Sequence, residues 1–402
     1  MTKKKIIIFS SSYPYGNTET FLHNEVLFLS KYFDIEIYPL YLKDTNDIPI
    51  DGLPSNVIYH EPFIKRNYVR RFLNGIFNTS PLLPYLSDLK SLFLNSIDKK
   101  YSLKEWILHL IAYRSILASS RFKNVFKESI TSNTIIYFYW NNYPIGLFNV
   151  YNKNIFIRVH GGEVNFKRHA NYIPLIRHRV VSKKNIKYLP ISNDSASRLR
   201  EISSNVYFVI NRLGVNDLGL NPTPDLNVIN IVSCSNVIKI KRVHLIIEAL
   251  SKIKKKNINW IHYGDGPLLE ELKYKSRSLP KNIKCSFPGR ISNNEVLSGY
   301  KYKGVDLFIN ISETEGVPVS IMEALSFGIP CFATDVGGTS EIMDNTIGKL
   351  VEKDFNIDEL THFILNIKSL ESENNYRENA RLRWGSMCDS KFNYKKLYNI
   401  FN

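Results

Sequence analysis

Asn227-Val-Ile-Asn-Ile-Val-Ser233 is an apolar run of strand length, and Arg242 to Lys254 follows it with apolar residues at Val243, Ile246, Ile247, Leu250 and Ile253. The first run has the length and β-branched content of a buried strand; the second has the three-and-four spacing of a helix with one apolar face. The pattern repeats downstream. Trp260-Ile-His-Tyr263 reads as a strand, Gly264-Asp-Gly-Pro267 as a turn and Leu268 to Ser276 as a helix, with further strands at Ile283–Phe287 and Asp306–Asn310. Strands alternating with helices across short turns predict an α/β fold with a parallel, doubly wound sheet.

Upstream, the same logic gives strands at Lys5–Phe9, Ile35–Leu40, Thr134–Tyr139, Ile155–Val159 and Lys187–Ile191. Residues 59–127, rich in aromatic, Leu, Lys and Arg residues, read as helices inserted between them. Asn211–Asp225, with Gly214, Gly219, Pro222 and Pro224, has linker composition. A chain of 402 residues is long for one such core and suits two. The expected division is residues 1–215, residues 222–385, and a C-terminal helix within 386–402 that packs back on the N-terminal domain.

The start, Met1-Thr-Lys-Lys-Lys before Ile6-Ile-Ile-Phe9, has too short an apolar run for a secretion signal and reads as a first strand. Cys234, Cys285, Cys331 and Cys388 form no paired spacing, so reduced thiols and neither disulfides nor a zinc site are expected, in a cytoplasmic protein. The net charge of +16 is uneven: residues 1–200 hold 28 Lys and Arg against 14 Asp and Glu, whereas residues 201–402 hold 25 against 23. A cationic first half suits an anionic partner, and a solvated lysine-rich surface is the plainer alternative.

Parallel sheets bind ligands beyond the carboxyl ends of their strands, and two such sheets are expected to face a cleft. Ile309-Asn-Ile-Ser-Glu-Thr-Glu-Gly-Val-Pro-Val-Ser-Ile-Met-Glu-Ala-Leu-Ser-Phe-Gly-Ile-Pro330 fits such a place. A strand ends near Asn310, Pro318 suits the first helical position, and Gly328 with Pro330 stops the helix. Glu315 then lies in the loop above the helix and Glu323 inside it. The amides of Gly316, Val317 and the first turn offer an anion site at the positive end of the helix. A carboxylate beside such a site suits neutral hydroxyls of a sugar or ribose.

Glu315 and Glu323, seven residues between them, with Gly264-Asp-Gly-Pro267, Phe287-Pro-Gly-Arg290 and Thr334-Asp-Val-Gly-Gly-Thr-Ser-Glu341 in order, resemble the signature of retaining GT-B glycosyltransferases of glycosyltransferase family 4. The resemblance implies two Rossmann-like domains facing a cleft. It implies that Glu315 holds donor-sugar hydroxyls, Glu323 the ribose, and Lys241 the donor diphosphate. Where the family usually carries an Arg just before that Lys, this chain has Ser235-Asn236-Val237, and Arg242 is expected to stand in. Ile155-Phe-Ile-Arg-Val-His-Gly-Gly-Glu163 resembles the family's strand-His-Gly-acid element, which implies that His160 meets the donor sugar. Pro14-Tyr-Gly-Asn-Thr-Glu-Thr-Phe21 resembles its N-terminal loop, where Gly16 would let the backbone approach phosphate and sugar.

The function so implied is transfer of a hexosyl or N-acetylhexosaminyl unit, configuration retained, from a nucleotide-diphosphate donor, with UDP mildly preferred. No metal and no cofactor is expected. The acceptor would be lipid-linked or saccharide, in assembly of a surface polysaccharide such as O-antigen, capsule or exopolysaccharide. Lys65–Arg71 and Tyr101–Arg121 mix basic and aromatic residues, which suits a peripheral position on the anionic inner face of the cell membrane. No nucleic-acid-binding signature accompanies the basic half. An inactive nucleotide-sugar-binding module and a nucleotide-sugar epimerase are the alternatives.

Overall fold

The computed structural model describes residues 3–16, 19–42, 47–64, 83–131, 134–141, 155–172 and 186–402. They fall into two units, Met1–Asn211 with Tyr394–Asn402, and Arg212–Asn393.

Unit 1 is built on a sheet of β1 (Lys4–Ser10), β2 (Phe33–Pro39), β3 (Val57–Tyr59), β4 (Ile135–Phe138), β5 (Ile155–Val159) and β6 (Ile186–Pro190), in the order β3-β2-β1-β4-β5-β6. Every pairing is parallel. Successive side chains of a strand point to opposite faces, and here both faces are covered. Ile7, Phe9, Ile136 and Phe138 pack in one core with Ala112 and Ile116 of α3 (Lys99–Ala118) and Phe122 and Val125 of α4 (Ser120–Thr131). Ile6, Ile8 and Tyr137 pack in the other with Leu22, Val26 and Leu29 of α1 (Thr20–Leu29). Double coverage is why the strands read as unbroken apolar runs. Leu397 and Phe401, at the end of the helix Ser390–Phe401, complete that second core.

The region expected to hold inserted helices supplies α2 (Leu83–Asn95), α3 and α4. Lys65–Arg71 lies outside the described residues. Among the described residues no helix is long and apolar enough to cross a membrane.

Unit 2 repeats the plan with β7 (Val228–Cys234), β8 (Asn257–Tyr263), β9 (Ile283–Gly289), β10 (Leu307–Asn310), β11 (Cys331–Thr334) and β12 (Gly348–Val351), in the order β12-β11-β10-β7-β8-β9. Ile229, Ile231, Trp260, Leu307 and Ile309 form its core with Ile246 and Leu250 of the helix His244–Ser251 and Leu360 and Ile364 of the helix Ile357–Asn374. Each such side chain, fully buried, contributes about 1.5–3 kcal/mol.

Two local expectations are corrected. The helix expected from Arg242 begins at His244, because Lys239–Lys241 form a 3-10 turn and Arg242 takes the left-handed conformation with φ +49°. Pro318 precedes the helix Val319–Ser326 at its cap position, with extended ψ of 105°, and is not its first helical residue. Asn211–Asp225 holds no helix or strand but is tightly held. Asn211 is fully buried and accepts from Arg158, while Asn221 donates to Tyr300 O and Lys303 O and its side-chain oxygen accepts from Val305 N and Arg377.

Candidate functional site

In unit 2 the strand order reverses between β7 and β10, so the chains leaving their carboxyl ends diverge and open a crevice. From β7 the chain reaches Lys241; from β10 it reaches Glu315. The two meet, Lys241 Nζ lying 2.5 Å from Glu315 Oε1. The same oxygen accepts from Ser312 Oγ at 2.6 Å and Asn310 Nδ2 at 3.2 Å. Neither side chain is free in solvent: Lys241 is 19% exposed and Glu315 11%.

The loop carrying Glu315 rests on Gly337 and Gly338. Gly338 N donates to Gly316 O at 2.6 Å. At Gly337, φ is +59° and a β-carbon would sit 2.0 Å from Glu315 O, so only glycine fits there. This gives the pair of glycines in Thr334–Glu341 a physical purpose.

Gly316 and Val317 are half-buried, and the helix Val319–Ser326 follows. The backbone N–H groups of Gly316, Val317, Val319 and Ser320 take no acceptor among the described residues. They are the donors that the start of a helix offers to an anion. Glu323 sits one turn inside this helix, 8% exposed. Its Oε1 accepts from Asn293 Nδ2 at 2.8 Å. Burial, only partly offset by that bond, raises the carboxyl to about 7.

Arg242, expected to stand in for the missing cation, has its guanidinium engaged by backbone carbonyls. Its left-handed backbone carries the guanidinium to the carbonyls of Ile311 (2.8 Å), Lys353 (2.7 Å) and Ser312 (3.5 Å), with Asp354 at 3.9 Å. The side chain ties the loop after β10 to the loop after β12. The cation beside Asn236 is Arg290, whose Nη2 lies 3.3 Å from Asn236 Oδ1. A cavity of about 300 Å³ lined by Val237, Lys239, Val243, His244, Leu268 and Leu272 borders the turn Lys239–Lys241, without Lys241, Glu315 or Glu323 in its lining.

In unit 1, His160 follows β5. Its Nε2 lies 2.9 Å from Tyr139 O. A carbonyl only accepts, so Nε2 carries the proton and Nδ1 is left as the acceptor of the ring. Its backbone N–H donates to Glu163 at 2.8 Å. Burial, reinforced by Arg158 nearby, lowers the imidazole to about 3, so the ring is neutral at ordinary pH. Gly16 has φ +67°, and its N–H donates to Ile48 O at 3.3 Å.

The structure therefore joins Lys241 to Glu315 directly and places Gly316, Val317 and Glu323 on the continuation of the same loop and helix. It engages Arg242 with backbone carbonyls, and it puts His160 and Gly16 in the other unit. Asn293, Asn310, Ser312 and Arg290 were not singled out from sequence. Only Arg290 carried a signal, as the last residue of Phe287-Pro-Gly-Arg290.

Residues 224–383 match the family described as glycosyl transferases group 1. The chain is 36% identical over 140 residues to the O-antigen biosynthesis glycosyltransferase WbnH of Escherichia coli, covering 35% of this chain and 37% of that protein. Over 107 residues it is 34% identical to a Campylobacter jejuni alpha-1,4-N-acetyl-D-galactosaminyltransferase named for a diNAcBac-PP-undecaprenol saccharide, covering 26% of this chain and 28% of that one. The chain thus matches about a third of the length of these curated relatives. Among solved structures, HepE of Anabaena in complex with UDP and glucose superposes with a TM-score of 0.65 at 15% identity, covering 99% of both chains. At that identity the likeness shows the fold, which is GT-B, with two Rossmann-like doubly wound domains. The family match is confined to unit 2, where Lys241, Glu315 and Glu323 lie.

Proposed function

We propose that this protein is a retaining glycosyltransferase that moves a hexosyl or N-acetylhexosaminyl unit from a nucleotide-diphosphate donor, UDP-linked, to a lipid-pyrophosphate saccharide in surface-polysaccharide assembly. The observation that carries it is the paired Lys241 and Glu315 above a helix start with unoccupied N–H donors, inside the residues that match the group 1 family. Lys241, Arg290 and those N–H groups take the diphosphate; Glu323 takes the ribose hydroxyls and Glu315 the sugar hydroxyls. His160 presents Nδ1 as an acceptor for a substrate hydroxyl.

In the reaction the bond from the anomeric carbon to the phosphate oxygen breaks and a bond from that carbon to the acceptor oxygen forms on the same face. The acceptor proton passes to the leaving phosphate. Charge developing on that phosphate is stabilised by the cations and the helix start, preorganised groups that need no metal. Support for the donor and acceptor comes from the relatives: one structure holds UDP and glucose, and one relative is named for a saccharide on PP-undecaprenol.

A peripheral position on an anionic membrane belongs to the same proposal. Phe93, Leu94 and Ile97 are 50%, 73% and 75% exposed at the turn between α2 and α3. Exposed Lys99, Lys100 and Lys104 follow them.

The test is a thermal-shift screen of nucleotides and nucleotide sugars, followed by an assay for release of free nucleotide with and without a lipid-pyrophosphate saccharide and with a chelator. A ligand that binds the folded state raises the melting point. Stabilisation by UDP together with chelator-resistant, acceptor-dependent release of UDP is expected. Stabilisation without release would favour an inactive binding module.

A further inference from the structure

One carboxylate in unit 1 gathers donors from separate parts of the chain. Glu19 immediately precedes α1 and is 3% exposed. Its Oε2 accepts from the backbone N–H groups of Ser12 at 2.6 Å and Tyr13 at 2.7 Å, and its Oε1 from that of Ser11 at 3.0 Å. The fourth donor is the indole of Trp140, 121 residues away in sequence, with Nε1 2.5 Å from Oε1. Charge-assisted bonds of this kind are the strong ones. With Ser12 Oγ at 3.4 Å from Oε2, they fix the chain leaving β1 and Trp140, two residues beyond β4. These strands are neighbours at the point where the sheet order of unit 1 reverses.

Trp140 lies against the ring of His160, with centroids 4.2 Å apart and planes 33° apart. Phe21, two residues after Glu19, flanks both rings, 6.3 Å from Trp140 and 5.8 Å from His160. The histidine ring is therefore bounded on one side by an indole whose only polar atom is held by Glu19, while the Tyr139 carbonyl fixes its tautomer.

We infer that Glu19 is a positioning residue for the transfer step: through Trp140 and the Ser11–Tyr13 backbone it holds His160 so that Nδ1 faces substrate in one orientation. This rests on the proposed role of His160. Glu19 does not touch substrate and does not move a proton, because both of its oxygens are occupied and buried. The chemistry also explains why an acid stands here. Two backbone N–H groups converge on Oε2, and a glutamine would set an amide N–H₂ against a donor at one oxygen or the other.

The test compares the wild-type protein with Glu19→Gln and Trp140→Phe, the latter keeping an aromatic ring but no indole donor. Each is read by steady-state kinetics and by the imidazole ¹H and ¹⁵N signals of His160, assigned with His160→Ala. Glu19→Gln is expected to lower kcat at least about tenfold with the donor KM changed less than about twofold. Its His160 signals should shift and broaden, as for a ring no longer held in one orientation, while Nε2 stays protonated against the Tyr139 carbonyl. Trp140→Phe should shift the same signals and lower kcat to a smaller extent. Wild-type kcat in Glu19→Gln, or a loss of kcat with unaltered His160 signals, overturns the inference. If Glu19→Gln does not fold, Trp140→Phe decides: unchanged His160 signals overturn the inference. If the wild-type protein transfers no sugar, the proposed function fails, and the His160 signals still report on the positioning.

Discussion

Lys241 and Glu315, at the ends of two strands that are neighbours in the unit 2 sheet, neutralise each other across 2.5 Å. Each is the other's counter-ion, and Ser312 and Asn310 also donate to the carboxylate, independently of the lysine. Under the proposed function, a diphosphate that takes Lys241 would leave these two donors to orient Glu315 for sugar hydroxyls. Lys241→Ala should weaken nucleotide binding by about 1–3 kcal/mol, the range for a hydrogen bond to a charged group. Glu315→Ala should keep nucleotide affinity and lose turnover. Isothermal titration checks both, and wild-type affinity in Lys241→Ala together with Glu323→Ala would remove the assigned donor site.

Glu323 gives a pH dependence whose sign follows from burial. Its carboxyl is raised from 4.5 to about 7. The folded state thus holds a proton that the unfolded state has released between those values, and stability contributed by this group falls as pH rises from about 4.5 to about 7. The full effect is on the order of 3 kcal/mol. Denaturation of Glu323→Gln across pH 4.5–8 should lack this decline, so that the variant is the more stable protein at pH 8. Parallel curves for the two proteins would show that Glu323 does not titrate in that window. Nucleotide affinity should rise over the same interval, because the ionised carboxylate is the better acceptor for ribose hydroxyls.

Arg242 should behave as a brace. Removing its guanidinium leaves the carbonyls of Ile311 and Lys353 without their donor. Arg242→Ala should cost about 1–3 kcal/mol of unfolding free energy. Arg242→Lys should recover little of it, because a single ammonium cannot span carbonyls from two loops. Chemical denaturation measures this, and a variant with normal stability but lost nucleotide binding would return Arg242 to the donor site.

Membrane attachment can be tested on the α2–α3 turn. Leu94→Glu and Ile97→Glu replace two of its most exposed apolar side chains. Each basic residue near an anionic surface is worth roughly 1 kcal/mol, so wild-type protein should sediment with anionic vesicles at low salt and release as salt rises. The double variant should remain in the supernatant. Equal sedimentation with neutral vesicles, or none with anionic ones, would leave a soluble acceptor as the better reading.

The parallel architecture was legible because both sheets are covered on both faces, which writes their strands as plain apolar runs. Glu315 and Glu323 were legible because a loop and the helix it starts keep functional groups at fixed spacing. The edge strand Val57–Tyr59 is three residues long, too short to leave a pattern. Arg242 misled because a left-handed residue at the end of a 3-10 turn redirects a side chain that periodicity assigns to a helix start. Glu19 lay within Pro14–Phe21 with nothing to mark it, since its meaning lies in Trp140, brought to it by the pairing of β1 with β4.

The return of Leu397 and Phe401 to the core of unit 1 bears on how the chain is made. A ribosome delivers β1 to β6 early, yet the sheet face around Phe33, Tyr137 and Phe156 waits for side chains encoded some two hundred codons later. Domains generally fold as units and N-terminal ones first, but here the aromatic seam of unit 1 is completed only by Tyr394–Asn402, synthesised after unit 2. Nascent chains stalled before Tyr394 would expose that seam to chaperones and proteases, and the finished first unit would certify that the second had been translated.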